Sequence, residues 1–252
     1  MEPNPTISDM TKQIFLDENF PETSALSNES FDEEEFKDRE EVVENLNRFW
    51  SLKSQKQRKY VRNMPLVLER VGPENLRLIA ANLYKPDRYL LESNHEVALL
   101  LVETVPLLFK TIENTPGLSA EEATVFELED LFLDFLRELI ESSEHKLLIA
   151  SRKTLVGVSK GLSKRTCDNK LLSIVLTLLH DPQSELNRLS ALELIKQLHA
   201  CFSRQYIEGF IATDILALMQ DSNSRVKTEA YKTFFGTAEQ PNKPARITSQ
   251  VA

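Results

Sequence analysis

The 252-residue sequence is short of residues on which several fold classes depend, with 6 Gly, 2 Cys, 4 Met and 1 Trp. So little Gly argues against doubly wound nucleotide-binding folds and turn-rich all-β folds, whose loops draw on Gly for positive φ. Neither GxxxxGK[ST] nor GxGxxG occurs, so no glycine loop is available to cradle phosphate. Cys167 and Cys201 stand 34 positions apart, with no CxxC and no His at metal-ligand spacing beside either. That pattern points to reduced thiols rather than a disulfide framework or a metal site. The longest nearly uncharged apolar stretch, 97–109, is interrupted by Glu103 and Pro106 and is too short to span a bilayer. Residues 1–11 lack the basic start and apolar run of a secretory leader, so the expectation is a soluble cytoplasmic or nuclear protein.

What is present is unevenly placed. Residues 1–41 hold 13 acids and 3 bases, whereas the remainder hold 26 and 27, so the net charge of −9 belongs to one end of the chain. Residues 1–40 carry Pro3, Pro5, Pro21 and the run Phe31-Asp-Glu-Glu-Glu-Phe-Lys-Asp-Arg-Glu40. Low hydrophobicity with one sign of charge does not offset ordering entropy, so this segment reads as a disordered acidic tail. Within it, Ile14-Phe-Leu-Asp-Glu-Asn-Phe20 sets apolar residues among acids. Two readings stand: a solubilising tail with incidental apolar residues, or a peptide that docks in a groove with basic edges. Phosphorylation of Ser30, three residues before Glu33, would deepen the negative field.

From Glu41 onward apolar residues recur at three- and four-residue spacing, the mark of amphipathic helices facing a core. The spacing predicts helices over 41–51, 55–71, 74–84, 88–92, 96–113, 119–141, 145–161, 169–180, 185–201, 205–220 and 224–236, and no β alternation of useful length. Gly72-Pro73, Pro116-Gly117 and Asp181-Pro182 punctuate these breaks, and Ser119 followed by Glu122 has the form of a capping box. The last stretch, 237–252, is polar with two prolines and reads as a second disordered tail.

The body is also self-similar. Met64-Pro-Leu-Val-Leu-Glu-Arg-Val71 aligns with Val105-Pro-Leu-Leu-Phe-Lys-Thr-Ile112 at an offset of 41, and Leu178-Leu-His-Asp-Pro-Gln-Ser-Glu-Leu186 with Leu218-Met-Gln-Asp-Ser-Asn-Ser-Arg-Val226 at 40. Leu139-Ile-Glu-Ser-Ser-Glu-His-Lys-Leu147 lies a further 39 residues upstream in the same form. Paired helices repeating every ~40 residues predict an all-α, HEAT/armadillo-like α-solenoid of about five helical pairs over 41–236. In each turn Asp or Ser caps the second helix. Arg58, Arg152, Arg188, Arg225 and Lys227 recur near the start of the second helices, where they either ladder to the Asp of a neighbouring turn or contact a partner.

The blocks Asp181-Pro…Leu186…Arg188…Ala191 and Asp221-Ser…Val226-Lys227…Ala230, with Tyr60-Val-Arg-Asn-Met-Pro-Leu-Val-Leu-Glu-Arg-Val-Gly72, resemble HEAT units of phosphatase regulatory proteins. Those are the scaffold subunit of type 2A serine/threonine phosphatases and the HEAT-containing regulatory subunits of type 4. The resemblance implies a non-enzymatic scaffold that binds a phosphatase catalytic subunit or its substrates, with no cofactor. It also implies that the ridge of turns inside the pairs docks partners: Lys53 and Lys56, Asn94 and His95, Glu144 and His145, Gln183 and Glu185, Asn223 and Arg225. Trp50, beside Phe49, either packs in the terminal repeat or anchors a partner at the rim. The alternative is an adaptor for nuclear transport or vesicle-coat cargo, held by concave helices rather than turns.

Residues with catalytic chemistry form no recognisable constellation. His95 and His145 fall at equivalent turns and read as exposed, while His180 and His199 read as core or capping residues. Cys201 reads as buried at a helix end and Cys167 as a loop residue, neither with a His placed to activate it. Glu121-Glu122 and Glu129-Asp130 read as solvated helix faces. The basic run Lys53-Ser-Gln-Lys-Gln-Arg-Lys59, extended by Arg62, suits an acidic protein surface, including the chain's own acidic tail, better than nucleic acid, because the body is near neutral.

Overall fold

The computed structural model describes residues 36, 38–85, 88–142 and 144–238. Ile14 to Phe20, Ser30 and nearly all of the two expected tails lie outside the described residues. All regular structure is helical, and no strand occurs among the described residues. The chain divides into two compact units between Leu162 and Ser163.

The first unit contains α1 (Arg39–Asn47), α2 (Ser54–Arg62), α3 (Met64–Val71), α4 (Leu76–Leu83), α5 (Arg88–Ser93), α6 (His95–Asn114), α7 (Glu122–Ile140) and α8 (His145–Val158). Helix α1 starts two residues before the expected boundary, because the Asp38 carboxylate accepts from the Glu40 amide at 2.8 Å and so caps it. Phe36, placed by sequence in the acidic tail, is buried with its ring 5.1 Å from that of Tyr60. The Tyr60 hydroxyl in turn accepts from Asn45 Nδ2 at 2.8 Å.

The two aligned proline octets fold differently. Predicted as one helix over 55–71, the first is broken at Asn63: Pro65 has no N–H and crowds the preceding turn. Asn63 then takes over locally, its carbonyl accepting from Leu66 and Val67 and its side chain donating to the Lys59 carbonyl. Pro106 instead sits inside the unbroken 20-residue α6. One turn upstream of it, the Leu101 carbonyl accepts from Thr104 Oγ1 at 2.8 Å and Tyr84 Oη at 3.4 Å. Helix α6 packs on α2 and α8 and against α7, and α4 packs on α1 and α7. The core centres on Phe132, with its ring 5.0 Å from Tyr84 and 5.6 Å from Phe109. Gly72 stops α3 at φ 95°, a conformation that L side chains rarely adopt.

The expected capping box at Ser119 does not form. Pro116, favoured at a first helical position, starts its own short turn (Pro116–Ser119), and Ser119 Oγ lies 3.4 Å from the Pro116 carbonyl. Glu121 becomes the residue before α7, and its carboxylate accepts from Thr124 Oγ1 at 2.7 Å. Glu129, expected on a solvated face, is buried in α7.

The second unit is two helical pairs. Each first helix opens with a three-residue turn (Lys164–Thr166; Arg204–Tyr206), passes through a π-helical turn (Cys167–Leu171; Ile207–Ile211) and continues as α9 (Leu172–Leu179) or α11 (Ala212–Leu218). The partner helices are α10 (Glu185–Leu198) and α12 (Ser224–Ala238). The 40-residue offset therefore extends to the π turns themselves. Helix α10 packs on α9 and on α12, and α12 packs on α11. Cys167 is buried within its π turn rather than in a loop, and Cys201 is half-buried in the turn His199–Cys201.

Candidate protein-interaction surface

The intra-pair turns of the second unit are built by short polar side chains folding back on the backbone. Asp181 Oδ1 accepts from the Gln183 and Ser184 amides at 2.8 and 3.0 Å, and Oδ2 from Asn187 Nδ2 at 2.8 Å. These bonds, Ser184 foremost, hold the Asp181 carboxyl below its ordinary value. Ser184 Oγ then caps α10 by accepting from the Asn187 amide. Forty residues on, Asp221 Oδ1 accepts from the Asn223 amide at 2.7 Å, and Asn223 Oδ1 from the Arg225 amide at 2.9 Å.

Adjacent turns are tied to one another. Arg188 Nε lies 2.8 Å from Asp221 Oδ2, and both side chains are about nine-tenths buried. Glu185 accepts from Asn223 Nδ2 at 2.7 Å and pairs with Arg225 at 3.2 Å. Lower in the same helices, Lys196 pairs with Glu229. Burial alone would lower the Lys196 pKa, yet the bond to Glu229 holds it above its ordinary value. Glu229 is drawn below its own ordinary value by the same bond. The first unit repeats this arrangement more loosely. Ser54 Oγ donates to Asn94 Oδ1 at 3.0 Å, Arg58 pairs with Glu96, and His95 Nδ1 lies 3.9 Å from Glu144 Oε2.

Four of the eleven residues expected to dock partners thus bond to a neighbouring turn, namely Asn94, Glu185, Asn223 and Arg225, while His95 and Glu144 face each other at 3.9 Å. Lys56 Nζ lies 3.8 Å from Glu41. Lys53, His145 and Gln183 are exposed. Trp50 is half-buried, its ring edge-on to Phe49 at 5.2 Å and its indole nitrogen buried with no hydrogen-bond partner among the described residues. The basic run on α2 is interleaved with acids from neighbouring helices. Burial pushes the Glu103 carboxyl up, and the charge of Arg62 opposes this. His95, His145 and His180 are exposed. His180 Nε2 meets Asp214 Oδ2 at 3.0 Å, and His199 Nδ1 lies 2.9 Å from the Lys196 carbonyl. His180 is therefore a surface residue at the end of α9 and not part of the core.

An apolar patch on the last helical pair has no local signal in the sequence. Tyr231 and Phe235, one turn apart on α12, are 44% and 58% exposed. At the offset of 40 they stand where the preceding pair has Ala191 and Ile195, which are 0% and 1% exposed. Phe210, also exposed, stacks on Tyr206 with ring centroids 5.9 Å apart. Comparing exposures between equivalent repeat positions reveals this patch, whereas hydrophobicity alone assigns all four residues to the core. Beside it, Leu189, Glu193, Thr228, Glu229 and Lys232 line a shallow open groove between α10 and α12. No group of three or more His, Cys, Asp or Glu able to hold a metal ion occurs among the described residues. No described helix is long and apolar enough to cross a membrane. Comparison with protein-family models, curated proteins and solved structures finds no match.

Proposed function

We propose that the helical pairs are HEAT-like repeats and that the chain is a non-enzymatic protein-binding scaffold. By the resemblance of its turn blocks, it is a regulatory subunit that holds a serine/threonine phosphatase catalytic subunit or its substrates. The observation that carries the binding role is the exposure of Tyr231 and Phe235 at repeat positions that the preceding pair buries. Aromatic residues on a rigid helix, flanked by Lys227 and Lys232, have the composition of an interface core with a charged rim. The turn-to-turn bonds keep the ridge rigid, which limits the entropy lost on docking.

Affinity capture from lysate with the full chain, followed by mass spectrometry, tests both parts. The expected result is a phosphatase catalytic subunit recovered with the full chain and depleted at least tenfold with the Tyr231→Ser/Phe235→Ser variant. A small GTPase with cargo in its place would establish the adaptor reading. Recovery of no phosphatase would overturn the phosphatase assignment, and equal recovery by both proteins would remove the α12 face from the interface.

A further inference from the structure

Two segments of the second unit that lie far apart in sequence meet at the start of its helical pairs. The Lys164 ammonium donates to the Cys201 carbonyl at 2.6 Å, and Asp168 Oδ1 accepts from the Ser203 amide at 2.7 Å. Ser203 Oγ donates to the other Asp168 oxygen as well. Cys167 lies between Lys164 and Asp168 on one segment, and Cys201 flanks Ser203 on the other. The two thiols are reduced and in hydrogen-bond contact with each other. These bonds tie the two segments to one another on either side of the thiol pair.

We infer that Cys167 and Cys201 are a peroxide-responsive thiol pair that closes into an intramolecular disulfide. The two differ in access: Cys167 is 2% exposed, whereas Cys201 is half-buried. Cys201, the more accessible thiol, is therefore the one that meets the oxidant, while the hydrogen bond to Cys201, and then burial, push the Cys167 thiol up. Hydrogen peroxide is the oxidant. The Cys201 sulfur attacks one peroxide oxygen, the O–O bond breaks, and Cys201 becomes a sulfenic acid with release of water. The Cys167 sulfur then attacks the sulfenic sulfur. The S–S bond forms, the S–O bond breaks, and the leaving hydroxide departs as water with the Cys167 proton. The two sulfurs lose two electrons in total, and the peroxide gains them.

The disulfide would staple α9 to the far end of α10 across a 34-residue loop and lock the first pair of this unit. Full-length protein treated with hydrogen peroxide should lose two hydrogens in intact mass and all thiol labelling. Under non-reducing conditions it should yield a single linked Cys167–Cys201 peptide. Its Tm should rise by several degrees and return to the starting value with dithiothreitol. Cys201→Ser should show neither the mass change nor the Tm shift, and Cys167→Ser should accumulate a dimedone-reactive sulfenic acid on Cys201. Retention of both thiols, oxidation of Cys201 to the sulfinic acid without a linked peptide, or a disulfide between two chains would each overturn the inference. Peptide mapping needs no variant, so a substitution that fails to fold does not blunt the test.

Discussion

Arg188 binds two successive turns at once: its Nη1 donates to the Asp181 carbonyl at 2.7 Å, and its Nε lies 2.8 Å from Asp221 Oδ2. Replacing it with Ala leaves the nearly buried Asp221 carboxylate without its counter-charge, which costs about 3 kcal/mol. Arg188→Lys restores the charge but not the planar fork that reaches both acceptors, so it should recover only part of this loss. Urea denaturation of the three proteins measures the difference. A cost below about 1 kcal/mol for Arg188→Ala would show that the ladder is dispensable.

Asp181 makes stability depend on acid. Its folded carboxyl is held below the ordinary value of about 4, so the folded state binds the proton more weakly than the unfolded chain does. The contribution is fully present above that ordinary value and is lost as pH falls through the folded one. Asp181→Ala should therefore cost about 1 kcal/mol at pH 7, the size of effect seen when a side chain that accepts backbone amides at a helix entry is removed, and progressively less in acid. Denaturation midpoints of both proteins, followed from neutral pH downward, should converge. A constant gap would assign the effect to packing.

Gly72 separates backbone strain from collision. A Cβ there would meet the Glu74 carboxylate, which is the movable end of a flexible side chain, whereas φ 95° is fixed by the end of α3. Gly72→Ala should cost about 1–3 kcal/mol from backbone strain. The double variant Gly72→Ala/Glu74→Ala should recover little of it, and full recovery by the double variant would identify the collision as the cause.

Tyr231→Ser/Phe235→Ser should change folding stability by no more than about 0.5 kcal/mol per site, as surface positions do. Thermal or chemical melts check this directly. A large loss would mean that the two rings pack against the chain's own residues instead of awaiting a partner.

Most of the helical plan was legible because three- and four-residue spacing survives whatever the helices pack against. The second unit was the clearest case, since Asp181 and Asp221 each accept from the amide two residues further on. What failed to show were effects decided by tertiary context. Pro65 and Pro106 sit in octets that align without gaps, yet one begins a helix and the other lies within one. Only α6 runs between α2 and α8, and only there does Tyr84 reach the carbonyl upstream of the proline. Ser119 lost its capping role to Pro116, whose local preference acts earlier in the chain. Glu129 reads as surface because charge predicts exposure, and its burial depends on how α7 is turned. Of the ridge of intra-pair turns, the turns were legible but their mutual bonds were not. The contact between Cys167 and Cys201 needed the fold, because no local signal links positions so far apart.

The two π turns bear on which length changes each helix tolerates. A π turn spends one residue more than an α turn before the chain regains its path. Loss of a single residue between Cys167 and Leu171, or between Ile207 and Ile211, would relax the turn to an ordinary α-helix and leave the apolar stripe of α9 or α11 facing as before. The same deletion in α10 has no such slack and would rotate every residue beyond it by about 100° about the helix axis, turning its buried side toward water.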